Sequence, residues 1–468
     1  MPDHKRSVSR PAPAPGPTSV RFAVLGALAS AAIGAYVVRV CISTAGSTIR
    51  EDLGFSDVQM GYILGGFFVG YMWFQFPAAW LGNWLGPRAA LAMFSLLWSA
   101  GTLASAWSHT FTALWWSRIA IGVAQAGLFA VTIKALSDWF PPSRRGMASA
   151  VIAGCMSVGA VLASGLTVRL LGPLGWRGTF EAYAFGGILW SVAFYLWFRD
   201  TPEEHPGVNA EECRWIRGGL VAETAAPPEL ADPVLDAGAI GQGETTPASP
   251  EPAGLAVVLM MLATASMWAL CAQAFFRAFG YAFFITWFPA YLERSYHVEI
   301  DSAGDLTMAP LVGVVLGSFL GGYLVDAILV KTGSKRLSRS GVAVVALGLC
   351  ALSTLAAILV RDVRAAVAII SVGSLFSGLG GPTTWAATMD ISGKHTAIGF
   401  SLMNMSGNLG AIVCPIVVGY LIAHLTRSGE SWDAVLYLFA ANYLAAAICW
   451  LLLDPNQSAV ERTAKISG

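Results

Sequence analysis

Charge is scarce in this sequence. Lysine, arginine, aspartate and glutamate make up 12% of the 468 residues, about half the share of an ordinary soluble domain. A surface so poor in charge excludes a water-soluble globule. The 28 basic and 28 acidic residues cancel, so there is no basic footprint for nucleic acid. Cysteine is sparse, and Cys41, Cys155, Cys213, Cys271, Cys350, Cys414 and Cys449 show no paired spacing. Neither a disulfide framework nor a metal site is expected from that pattern. The six histidines are scattered, and Gly61-x-x-x-Gly65 is a chance spacing among 50 glycines. No cofactor loop or metal-ligand cluster stands out, so no cofactor and no enzyme activity are expected. The start of the chain lacks a short apolar core with a small-residue cleavage site. Its basic, proline-rich residues (His4-Lys5-Arg6, then Pro11 to Pro17) are expected to be a retained, disordered tail.

What the chain has is apolar length. It is 56% hydrophobic with a mean hydropathy of +0.62. Runs of about 20 residues recur, the length that spans a bilayer core as helix. Lipid satisfies no backbone polar group, so each run must be helical. Twelve spans are predicted at 22–43, 59–81, 89–108, 112–135, 146–171, 178–198, 269–292, 306–330, 340–360, 365–387, 397–424 and 432–453. The fold class is therefore an all-α polytopic membrane protein. Its expected parts are a tail at 1–21, a six-helix bundle at 22–198, a cytoplasmic linker at 199–268, a second bundle at 269–454 and a tail at 455–468. The linker is rich in proline, reads as mostly flexible, and ends in an interfacial segment at 254–268. Orientation follows from lysine and arginine. With both termini cytoplasmic, seventeen fall on that side and seven on the other; Arg39, Arg118, Lys134 and Arg277 fall within spans. That bias places the termini in the cytoplasm, and a bacterial inner membrane is the expected location.

The two halves echo one another. Spans 2 and 8 run into Gly82-Asn83-Trp84-Leu85-Gly86-Pro87-Arg88 and Gly321-Gly322-Tyr323-Leu324-Val325-Asp326. Spans 6 and 12 end in Asp200-Thr201-Pro202 and Asp454-Pro455. Repeated six-helix halves suit alternating access around a central site. Several stretches carry a more specific likeness: Tyr36-Val37-Val38-Arg39, Gly70-Tyr71-x-x-x-Gln75-x-Pro77, Arg118 seven residues before Gln125, Trp139-Phe140-Pro141, Thr286-Trp287-Phe288-Pro289, and Asn404-x-x-Gly407-Asn408-Leu409-Gly410. Over about 20–455 the chain resembles the major facilitator superfamily. The likeness is to its anion:cation symporter branch, which carries sugar acids, hexuronates and glutamate. That resemblance implies twelve helices in two pseudo-symmetric bundles, a midplane anion site and a monomer. It also marks departures. Asn83 stands where the branch's span 2 loop usually has aspartate. Val38 and Gln125 stand where its proton-carrying acids are expected. Arg277 matches a position where vesicular glutamate transporters also place arginine.

A charge at mid-membrane costs at least a few kcal/mol, so one that persists faces a cavity or a partner. Arg39, Arg118 and Arg277 meet that condition, yet no aspartate or glutamate lies well inside a span. The simplest partner is a bound organic anion, because guanidinium holds carboxylate through two hydrogen bonds. Internal bracing is the competing role for Arg118, and snorkelling is the competing role for Arg277 and Lys134. Tyr36, Tyr71, Gln75, Gln125, Trp385, Asn404 and Asn408 are the expected neutral contacts, with packing between helices as their ordinary alternative. Asn83, Arg88, Asp326 and Arg336 are the expected gating-loop residues. Without a titratable residue at 38 or 125, uniport, exchange or sodium coupling is favoured over proton symport. A phosphate carrier and a receptor without flux remain the alternative readings.

Overall fold

The computed structural model describes residues 16–224 and 254–454. Among these residues the regular structure is helical. The first half comprises α1 (Val20–Thr44), α2 (Gly46–Leu53), α3 (Asp57–Ala106), α4 (Phe111–Gln125), α5 (Leu128–Trp139), α6 (Pro142–Trp197) and α7 (Ala210–Thr224). The second comprises α8 (Gly254–Leu262), α9 (Ala265–Thr286), α10 (Phe288–Tyr296), α11 (Ile300–Thr332), α12 (Val342–Ile358), α13 (Val363–Ser392), α14 (Thr396–Ser428) and α15 (Asp433–Leu452). Among the described residues, ten stretches are long and apolar enough to cross a membrane. Two of these, at 50 and 51 residues, are far longer than a bilayer needs. Each is broken once by a glycine that alone tolerates a positive φ at no cost: Gly86 at 77° and Gly175 at 64°. Counted on either side of those breaks, the spans number twelve. The loops expected at 82–88 and near 172–177 are thus single-glycine kinks in continuous helix.

Side chains face lipid as well as protein. Only 28% of the most apolar window of α11 is buried. Trp73, Phe76, Trp80, Trp84 and Tyr323 are each more than half exposed. A soluble protein does not leave so much apolar surface uncovered. An even number of crossings puts both ends of the chain on one face, here the terminal side; the other is the distal side.

Two seams join the bundles. In one, α3 packs on α14; in the other, α6 packs on α11. Glycine brings the backbones together: a Cβ at Gly61 would strike the Pro415 carbonyl oxygen, and one at Gly419 would lie 2.7 Å from that of Asp57. Asp57, Gly61 and Gly419 lie toward the distal ends of their helices and Pro415 near the middle of α14, so the bundles are closed against each other over the distal half. Ser56 fixes the distal start of α3 with a reciprocal cap: its hydroxyl accepts from the Gln59 amide, and the Gln59 side chain accepts from the Ser56 amide.

The polar connection between the halves is folded over 199–224. Pro202–Glu204 forms a 3-10 turn. Beyond it Glu212, fully buried, accepts from the backbone amides of Val20 and Arg21, from Thr18, and from the Arg21 guanidinium at 2.8 Å. Glu212 thereby serves as a remote cap for the start of α1. The rest of the expected linker, 225–253, lies outside the described residues, as do tail residues 1–15 and 455–468. The stretch expected to be interfacial, 254–268, forms α8 and the start of α9. Its Val257 and Met261 are buried in the C-terminal core.

Candidate functional site

Arg39 sits on the inner face of α1, one turn beyond Tyr36. Its guanidinium lies among three rings: Tyr36 at 4.3 Å, Phe67 at 4.5 Å and Tyr71 at 4.9 Å. Such rings stabilise a cation where water is scarce. One nitrogen, Nη2, donates to Gln125 Oε1 at 3.3 Å, and Gln125 donates in turn to the Ala35 carbonyl at 2.9 Å. Gln125 is buried and ties α4 to α1. Arg118 does the same two turns earlier on α4, donating to the carbonyls of Arg39 at 2.9 Å and Val38 at 3.4 Å. Its charge therefore lies beneath Arg39, engaged with backbone.

From the other bundle, α9 brings Arg277 and Tyr281, and α14 brings Asn404 and Asn408. Tyr36, Arg39, Arg277, Tyr281, Asn404 and Asn408 line one cavity of about 170 Å³, walled by Phe68, Ile285 and Met403. No aspartate or glutamate lines it. Buried Nε atoms of Arg39 and Arg277, and the Asn408 amide nitrogen, have no hydrogen-bond partner. Unmet buried donors are costly and rare, and here they lie in side chains that line a space. The arrangement can accept an anion with hydroxyl groups.

The remaining expected residues sit elsewhere. Tyr71 stacks on Phe67 behind Arg39. Gln75 accepts a 3.0 Å hydrogen bond from Asn404 across the α3–α14 seam. Trp385 is 55% exposed on α13 and does not line the cavity. On the terminal side, Asn83 lies within α3 and its carbonyl accepts from Lys134. Arg88 donates through its amide to Asp200 at 2.8 Å and through its side chain to the Tyr195 carbonyl. Asp326 and Arg336 are exposed; Lys335 and Arg339, rather than Arg336, pair with Asp390, at 2.8 and 3.2 Å. Tyr281 was not singled out from sequence, although it stands four residues after Arg277, the spacing that puts two side chains on one helix face.

The distal closure has its own polar rim. Arg50 pairs with Asp57 at 2.7 Å. Glu293 on α10 accepts from Ser47 of the other bundle; burial pushes its carboxyl up, Glu51 adds to this, and Ser47 and Arg50 oppose it. Farther along, Arg169 meets Asp305 at 3.5 Å, both exposed.

Comparison with known proteins accords with this geometry. A family model described as the Major Facilitator Superfamily matches residues 28–270 and 270–466. The probable galactarate/D-glucarate transporter GudP of Bacillus subtilis is 29% identical over 460 residues, covering 96% of this chain and 95% of that protein. The probable sulfoacetate transporter SauU of Cupriavidus necator is 25% identical over 435 residues, covering 93% and 94%. The probable L-galactonate transporter of Escherichia coli is 24% identical, covering 90% and 87%. Among solved structures, an inward-facing, unoccupied bacterial homolog of the human lysosomal transporter Spinster aligns with a TM-score of 0.69 at 17% identity, covering 94% of this chain and 95% of that one.

Proposed function

The chain belongs to the major facilitator superfamily of membrane transporters, and we propose that its cargo is a small organic acid held between the bundles and carried by alternating access. The observation that carries this reading is the cavity: arginine reaches it from both halves, and no acidic side chain answers them. Arg39 binds carboxylate. Tyr36, Asn404 and Asn408 read the remaining polar groups, while Tyr71 and Gln125 hold Arg39 in place. Arg118 holds the α1 backbone and adds positive potential. The likeness to carriers named for galactarate, glucarate and galactonate favours a sugar acid.

Transport proceeds without proton symport, as uniport, exchange or sodium coupling. Val38 does not titrate, and Gln125 is a neutral amide hydrogen-bonded on both sides. The protein works as a monomer in a bacterial inner membrane, and its lysine and arginine bias supports cytoplasmic termini. Proteoliposome uptake of labelled sugar acids, glutamate and phosphate, with and without an imposed pH gradient, tests the whole reading. Saturable uptake of an organic acid that ignores the gradient is expected. Uptake that requires the gradient would refute the coupling, and uptake of phosphate alone would refute the cargo.

A further inference from the structure

The first bundle holds a further hollow, separate from the cargo cavity and larger, at about 270 Å³. It lies against the back of α1. Ser30 and Gly34 line it, and at 3.6 residues per turn they face away from Tyr36 and Arg39. Trp98 of α3 forms the floor, and Tyr183, Gly186 and Trp190 of α6 form the facing wall. The hollow opens where small residues stand on both rims: a Cβ at Gly34 or at Gly186 would meet nothing within 4 Å. Both glycines are exposed, as are Leu166, Phe185 and Leu189 around them. Gly34 lies near the middle of α1, and Gly186 near the middle of the second span of α6. The mouth is therefore level with the hydrocarbon core of the membrane.

The interior is apolar. No charged residue lines it. The Ser30 hydroxyl donates to the Ala27 carbonyl and accepts from the Trp190 indole; Ser95 donates to the Gly187 carbonyl at 3.0 Å; Tyr183 and Thr167 share a hydrogen bond at 2.9 Å. Those polar groups are answered within the protein, so the space offers little to water or to an anion. An apolar cavity of about 150 Å³ accommodates a benzene ring, and this one has room for a longer hydrocarbon segment. The medium at its mouth is lipid chain. Left empty, the hollow would deprive Val38 and Trp98 of dispersion contacts.

We propose that this hollow binds one acyl chain of a bilayer phospholipid, inserted between α1 and α6. The proposal rests on the membrane-spanning fold and is independent of the cargo. The chain packs on Val37 and Val38, immediately before Arg39, and the Val38 carbonyl accepts from Arg118. Bound lipid thus steadies the segment of α1 that carries Arg39.

The probe is a phosphatidylcholine with a photoactivated diazirine at mid-chain, a trace component of phosphatidylcholine proteoliposomes that contain the full-length protein. Illumination and peptide mass spectrometry locate the adducts. They are expected on Val37, Val38 and Trp98, which are buried and beyond the reach of lipid coating the outer surface. Gly186→Leu fills the mouth and should reduce these adducts about tenfold, the effect of withdrawing roughly two methylene groups from apolar contact. Gly186→Ala should reduce them less. Adducts on exposed Phe319 and Leu320 of α11 should stay constant in every variant, which separates a blocked hollow from a misfolded chain. Adducts confined to exposed residues, or adducts at Val38 and Trp98 that persist in Gly186→Leu, would overturn the proposal. So would purified protein that retains a different apolar molecule and leaves the buried positions unlabelled.

Discussion

Replacing Arg39 with lysine keeps the charge but removes the planar fork that matches a carboxylate. Uptake should fall about tenfold or more in Arg39→Lys and vanish in Arg39→Ala, with both variants eluting as folded protein. Normal transport by Arg39→Ala would end its assignment to the cargo. Gln125→Glu makes the opposite kind of change. It places a carboxylate against the Arg39 guanidinium, where Gln125 Oε1 now stands at 3.3 Å. The new carboxylate competes with cargo for the Arg39 guanidinium. Affinity should therefore drop at neutral pH and recover only as acidification protonates the side chain. A pH profile as flat as the parent's would contradict this. Arg118→Leu strips two bonds from the α1 backbone. Charged hydrogen bonds each contribute about 1.5–3 kcal/mol, so its thermal midpoint should fall clearly below the parent's.

At the scale of elements, the α3–α14 seam depends on glycine for its closeness. Gly61→Val places bulk against the Pro415 carbonyl and should hold the distal side open. Labelling of a cysteine introduced at Ser47 by a membrane-impermeant thiol reagent would then rise; unchanged labelling would show that the seam adapts. The distal rim adds a pH dependence whose sign follows from Glu293. Its carboxyl is pushed up by burial in the closed arrangement, so that arrangement binds the proton more tightly than the open one does. Closure is favoured below the ordinary carboxylate range and weakens as pH rises through the raised value. The same labelling should increase with pH, and Glu293→Gln should flatten the response. The spans themselves were legible in the sequence because the bilayer allows few alternatives to a helix of that length. Tyr36 and Arg39 were legible because a charge in an apolar run is conspicuous. Tyr281 was not, since an aromatic residue in such a run looks like packing until Arg277 is placed beside it. Nor was the Gln75–Asn404 bond, whose partners are far apart in sequence and on opposite bundles.

For the molecule as a whole, the connection between bundles begins with a fixed clasp. Glu212 lay hidden in a polar stretch that reads as flexible because its partners are Thr18, Val20 and Arg21 at the other end of the bundle. Glu212→Ala leaves the Arg21 charge without its carboxylate. Breaking a buried pair from one side costs about 3–5 kcal/mol, and Trp215, 4.2 Å from the Arg21 guanidinium, loses its footing with it. Limited proteolysis within 210–224 should accelerate markedly, while a variant as resistant as the parent would show that α7 holds without the clasp.

The glycine seams have a kinetic counterpart. Among the described residues, Arg169–Asp305 is the ion pair that joins the bundles, and it sits exposed at the rim, where salt screens it. The seams otherwise hold largely by close backbone contact and by neutral side-chain hydrogen bonds such as Gln75–Asn404, on which salt has little effect. Turnover should therefore be almost indifferent to ionic strength and should respond instead to the viscosity of the surrounding lipid, the medium through which the two bundles must rock.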